Sequence, residues 1–199
     1  MAQVSAPRGT HLEPVRSTSR GMISNGLFGM LVFVLTEAML FAGFISAFTI
    51  VKASAPVWPP PDQPRLPIEA TAFNTVMLMI SGAMILFAHR AFRRGDRESM
   101  RRPLWAALGF GTFFILFQGF EWVQLITEGL TMTSSTLGGF FYVIVGIHAI
   151  HAIGALGLLA YACLRLERGY LSPSVFGAAE ALWLFVVGVW PFVYAVVYL

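Results

Sequence analysis

Residues 137–164 read LGGFFYVIVGIHAIHAIGALGLLAYACL, an apolar stretch of 28 residues interrupted by two histidines, His148 and His151. About 20 apolar residues in helical form cross a hydrocarbon core of about 30 Å. This stretch therefore reads as a membrane-spanning helix. Four more runs of the same kind flank it, at 27–51, 72–92, 104–126 and 177–199. Inside a bilayer every backbone polar group must be satisfied within its own segment or a closed barrel. Barrel strands are far shorter than these runs and alternate in polarity. The expected fold is all-α: a polytopic bundle of five transmembrane helices.

Composition agrees. Of 199 residues, 57% are apolar and 12% are charged. Soluble domains carry about 25% charge to cover their surface. That excludes an ordinary cytosolic enzyme, a disordered chain and a nucleic-acid binder. The single cysteine, Cys163, excludes a disulfide framework and any multi-thiolate metal site.

Orientation follows from the basic residues. Arg8, Arg16 and Arg20 precede the first run. Arg90, Arg93, Arg94, Arg97, Arg101 and Arg102 lie between runs two and three, and Arg165 and Arg168 between runs four and five. Only Lys52 and Arg65 fall on the opposite side. The positive-inside rule then places the N-terminus in the cytoplasm and the C-terminus outside. The first run is too long for the core of a cleavable signal and is expected to stay as an anchor. The chain divides into a cytoplasmic tail, 1–25, and one membrane domain, 26–199. The loop after helix 1 carries Trp58-Pro59-Pro60-Pro61, Pro64 and Pro67, which preclude continuous helix; Trp58 suits the outer interface. Twelve of the thirteen basic residues are Arg, a compositional hint of a GC-rich bacterium.

Ionisable groups in a membrane span are functional candidates by default. Five stand out: Glu37, Glu121, His148, His151 and Glu180. Glu37 sits about ten residues into helix 1, roughly 15 Å deep at 1.5 Å per residue. Either it carries protons or it is a protonated carboxyl bonded to a neighbouring helix; helix 1 supplies few other polar residues, which favours the second reading. Glu121, flanked by Gln118 and Gln124, reads as a polar seam. Glu180, near the inner boundary of helix 5, would pair with a loop Arg or with helix 4. His148 and His151, three apart, share one helix face. They would serve a metal if Glu37 or Glu121 were brought close. Interhelical hydrogen bonding is the simpler reading, because Ala152 and Ala155 on the face of His148 let a helix approach. A bis-His haem needs buried His on two helices, and only helix 4 has them. A Ser81-based intramembrane protease lacks the surrounding residues it would need.

Together these residues resemble subunit III of the haem–copper respiratory oxidases, over about residues 25–199. Thr36-Glu37 followed by Phe41 is similar to the family's Ser-Glu-x-x-x-Phe stretch, and Trp58-Pro59-Pro60 to its outer proline-rich loop. Phe73-Asn74-Thr75, Ser81-Gly82 and Ala88-His89 resemble its next helix. Gln118-Gly119-Phe120-Glu121-Trp122 resembles its Gln-x-x-Glu-Tyr/Trp. Phe140-Phe141, Gly146, His148, His151 and Gly154 resemble its two-histidine helix. Helix 5 departs from the pattern: Leu184 and Val187 stand where the family usually has His and Asp, while Glu180, Trp183 and Trp190 are kept. Some members have seven helices, and this chain looks like the five-helix form.

The resemblance implies a non-catalytic subunit of a terminal oxidase that passes electrons from cytochrome c or quinol to oxygen in aerobic respiration. The oxygen-reducing subunit needs six His for its haems and copper, and the copper-A subunit needs two Cys. This chain has four His and one Cys, so no catalytic, cofactor or metal site is expected in it. Haems and copper would belong to partner subunits. The implied partners are subunit I as main contact, subunit II, small subunits or a supercomplex, and bound phospholipid, in a bacterial inner membrane. The role implied is stabilising subunit I, lipids and proton uptake. The five polar residues would then be structural or lipid-contacting. Two alternatives stay open at this level: an accessory subunit of a nitric oxide reductase, and a stand-alone membrane metalloprotein or transporter around His148, His151 and Glu37.

Overall fold

The computed structural model describes residues 25–61 and 63–199. The expected cytoplasmic tail lies outside the described residues, apart from Asn25. Five helices follow in order: α1 (Asn25–Ser54), α2 (Ile68–Arg93), α3 (Arg97–Thr127), α4 (Thr136–Glu167) and α5 (Pro173–Val197). Each is long and apolar enough to cross a membrane, and no strand occurs among the described residues. The fold is the expected all-α bundle.

The helices outrun their apolar stretches because capping, not hydrophobicity, sets their ends. Asp96, Ser135 and Ser172 open α3, α4 and α5, each accepting a bond from the backbone N–H three residues on. Hydrogen bonds from Ser99 hold the Asp96 carboxyl below the usual carboxylate range. So α3 starts at Arg97, seven residues before its apolar run. Gly95, Gly129 and Gly169 close α2, α3 and α4 with φ of 71°, 98° and 81°. At each, two backbone bonds fold back on the last turn, as in Asp96 N–H to Ala91 O and Gly95 N–H to Phe92 O. This is the Schellman stop, and its left-handed residue favours glycine.

Four helices make the core. α2 packs along α3, α3 against α4, α4 against α5, and α5 returns to α2. α1 lies outside this bundle, on α5 and the edge of α4. It buries only Phe41 and Phe48. Phe48 meets Phe140 of α4 and Trp58 of the following loop, with ring centroids 5.6 and 5.5 Å apart. Gln63 in that loop accepts hydrogen bonds from Ser134 and Ser135. One end of the bundle gathers the arginines of the α2–α3 and α4–α5 connections; the other carries the proline loop.

Small residues set the helix spacing where large ones cross. Trp183 is fully buried between α5 and α3, and a Cβ on Gly111 would stand 2.5 Å from its Cη2 and Cζ2. Overpacking of this kind costs about 1–3 kcal/mol. Gly111→Val should therefore lower the thermal unfolding midpoint of the purified protein. Gly109→Ala, with nothing within 4 Å of its added Cβ, should not lower it. Equal midpoints for the two variants would refute this packing.

Candidate functional site

The polar side chains of α2 fall into three levels along the bundle, and each level ties α2 to a neighbour. Nearest the proline loop, Glu121 of α3 is 3% exposed. It accepts from the Thr71 hydroxyl of α2 at 3.0 Å and from the Gln118 amide at 3.0 Å. That amide also reaches the Tyr198 hydroxyl, at 3.2 Å. Asn74 of α2 donates to the Phe114 carbonyl of α3. Trp190 of α5 donates to Thr75 of α2 at 2.8 Å. The sequence-based polar seam is thus present but narrower than expected. Gln118 belongs to it, whereas Gln124 faces outward and bonds Glu128.

At the middle level Ser81 of α2 donates to the Ala107 carbonyl of α3 at 2.6 Å and accepts from Trp183 of α5 at 3.0 Å. A single hydroxyl so joins three helices, engaged on both its donor and acceptor sides. At the arginine-rich end Glu180 of α5 meets His89 of α2, with 2.8 Å between Oε2 and Nδ1. Neither a loop Arg nor helix 4 is its partner, contrary to expectation. The α2–α5 packing brings the end of α2 beside the first turns of α5, closer than the loop.

The two histidines of α4 diverge. His148 is 2% exposed and tilts against Trp190 at 4.8 Å, with Phe41 and Phe114 edge-on. Its Nε2 has no hydrogen-bond partner, and it borders a cavity of about 210 Å³ between α3 and α4. Ala152 and Ala155 are fully buried on the same face. His151 turns toward α1 instead. Its Nε2 lies 3.0 Å from Glu37 Oε2, and its Nδ1 lies 2.8 Å from the Ile147 carbonyl.

A carbonyl can only accept, so Nδ1 carries a proton. The Nε2–Glu37 contact then has two balanced forms: neutral imidazole with a protonated carboxyl, or imidazolium with carboxylate. The approach is short, yet Glu37 Oε2 makes no aligned hydrogen bond.

The five candidates therefore do not converge. Glu37 and His151 meet, His148 stands apart in the aromatic core, Glu121 lies among α2 and α3 groups, and Glu180 is at the arginine-rich end. No cluster of three or more His, Cys, Asp or Glu that would hold a metal occurs among the described residues. Thr71, Asn74 and Tyr198 complete the seam without having been singled out as site residues. Their signal was available: a Thr and an Asn three apart in an apolar run share a helix face.

Comparison with known proteins accords with this arrangement. The family model for cytochrome c oxidase subunit III matches residues 7–199. Cytochrome c oxidase subunit 3 of Sus scrofa is 34% identical over 188 residues, covering 89% of this chain and 70% of its own length. The Equus caballus protein of that name is 32% identical with the same coverage. That of Bos taurus is 33% identical over 187 residues, 88% of this chain and 70% of its own. The chain belongs to the cytochrome c oxidase subunit III family, and is a membrane-spanning subunit III of a haem–copper oxidase.

Proposed function

We propose that this subunit acts as a cofactor-free scaffold that packs on subunit I, holds phospholipid, and keeps proton uptake and turnover stable. The observation that carries this reading is the dispersal of its ionisable groups. Each lies against another helix of the same chain, in a bonded or apolar setting suited to holding helices together. None of the five is placed with another pair to bind a redox centre. The relatives' name implies cytochrome c as electron donor and oxygen as acceptor for the complex. The basic end faces the cytoplasm by the positive-inside rule, in a bacterial inner membrane, with subunit II and small subunits as further neighbours.

In this reading α1 supplies contact surface. Most of its length is exposed, including Leu35, Met39 and Ile50 at 64%, 71% and 69%. Glu37 and His151, 3.0 Å apart, then fix the rotation of α1 on the bundle.

The direct test is purification through a tag on the N-terminus from gently solubilised membranes, followed by a reduced-minus-oxidised spectrum and oxygen uptake. Haem bands with cyanide-sensitive oxygen consumption are expected. A haem-free chain, stable alone, would sink the proposal.

Glu37→Ala and His148→Ala should weaken assembly or shorten the turnover lifetime without altering the haem spectrum of the complex that forms. Glu37→Gln, which keeps a polar group of the same shape beside His151 Nε2, should retain more of the wild-type lifetime than Glu37→Ala. Loss of a haem band from an intact Glu37→Ala complex would contradict a structural role.

Glu121→Ala removes the acceptor that joins Thr71 to Gln118, leaving their hydroxyl and amide only the Pro67 carbonyl and the Tyr198 hydroxyl, and each buried hydrogen bond lost costs about 0.5–1.5 kcal/mol. Glu121→Gln keeps an acceptor oxygen and should cost less. Thermal unfolding of the two variants decides the point, and equal losses would remove the seam from the stability argument.

A further inference from the structure

Among the described residues only two basic side chains lie at the proline-loop end, and both line one cavity. It has a volume of about 720 Å³ and is bounded by Lys52, Trp58, Pro59, Arg65, Leu66, Ile68, Leu137, Val197 and Tyr198, among others. Lys52 is in the last turn of α1 and half-buried; Arg65, in the loop, is exposed. Neither makes an ion pair or hydrogen bond among the described residues. By contrast, at the opposite end Arg101 pairs with Glu167 and Arg97 bonds the Gly169 carbonyl.

The remaining wall is hydrocarbon, drawn from the ends of α1, α2, α4 and α5. Trp58 and Tyr198 stand at this level, the residue types that sit where acyl chains meet headgroups. A cavity at the helix ends with apolar walls and cations unpaired among the described residues has two chemical demands. It needs an anion for the cations and a chain for the walls.

We propose that this cavity binds one anionic phospholipid of the adjoining leaflet, its phosphodiester held by Lys52 and Arg65 and its upper acyl carbons laid on Leu66, Ile68, Leu137 and Val197. An acidic protein segment satisfies the cations but not the hydrocarbon walls, and a soluble phosphate ester satisfies only the cations. The proposal rests on the lipid-holding reading above and names the site and headgroup for it.

The test uses the complete oxidase complex, delipidated and titrated with phosphatidylglycerol, with retained lipid counted by native mass spectrometry. K52Q/R65Q should lose one tightly held phosphatidylglycerol, its apparent Kd rising on the order of tenfold. K52R/R65K should keep it, which separates charge from misfolding. R93Q/R102Q, with two exposed arginines removed from the other end, should also keep it. Phosphatidylcholine should not fill the site.

Unchanged retention in K52Q/R65Q would overturn the proposal. So would competition by glycerol phosphate as effective as by the whole lipid, which would make this a soluble-anion site. Loss of a protein subunit from K52Q/R65Q with its lipid count unaltered would assign the cations to a protein contact instead. Haem bands in the same preparations report on the subunit reading, so the two can fail separately.

Discussion

The hydrocarbon interior offers no water to a polar side chain, and the shape of this molecule answers that constraint. A carboxyl at Glu121 is tolerable only with partners on the neighbouring helix, and Thr71 supplies one from α2. The same bonds that relieve the carboxyl fix the register of α2 against α3. One turn shifted, Thr71 would lose Glu121, Asn74 would lose the Phe114 carbonyl, and Ser81 would lose the Ala107 carbonyl. Three separate bonds therefore specify one alignment. Hydrophobic burial cannot do this within a bilayer, because lipid tails are as apolar as leucine.

α5 is held by a different device. Its two buried tryptophans donate to hydroxyls of α2, Trp183 to Ser81 and Trp190 to Thr75. Each indole also fills space beside smaller or aromatic partners, Trp183 over Gly111 and Trp190 between His148 and Phe114. Packing and hydrogen bonding thus act at the same residues. α1 has no tryptophan donor, and its close backbone approaches to α5 are confined to its first turn, Gly26 against Ser174 and Leu27 against Gly177. Phe41, Phe48 and the Glu37–His151 pair are its main holds, which matches its position outside the four-helix core.

Much of this was legible in the sequence, and the limit of legibility has a physical cause. Apolar run length gave five helices because the bilayer sets one length scale for all of them. Glu37, Glu121, His148, His151 and Glu180 stood out because charge in such runs is expensive. What each would touch was not legible. Partner choice depends on helix rotation, and an apolar face without a solvent side carries no moment to reveal rotation. Glu180 was expected to meet a loop Arg or helix 4 and instead meets His89. His148 and His151 share a face by spacing, yet the breadth of that face sends one to Trp190 and the other to α1. The helix ends were legible but passed over: Asp96, Ser135 and Ser172 at the starts and Gly95, Gly129 and Gly169 at the stops are ordinary capping signals.

The departure of α5 from its family pattern now has a structural setting. Val187, where the resemblance leads one to expect Asp, is 5% exposed and sits on Gly82, whose added Cβ would stand 2.7 Å from Val187 Cγ1. A branched apolar side chain against a bare backbone makes a tight contact that leaves no polar atom to satisfy. Leu184, where His is expected, borders the cavity that also contains His89 and Glu180. With no third polar group from position 184, Glu180 and His89 satisfy one another directly. The helix has not lost its attachment to α2. Its polar ties run through Glu180, Trp183 and Trp190, and the two replaced positions contribute apolar surface between them.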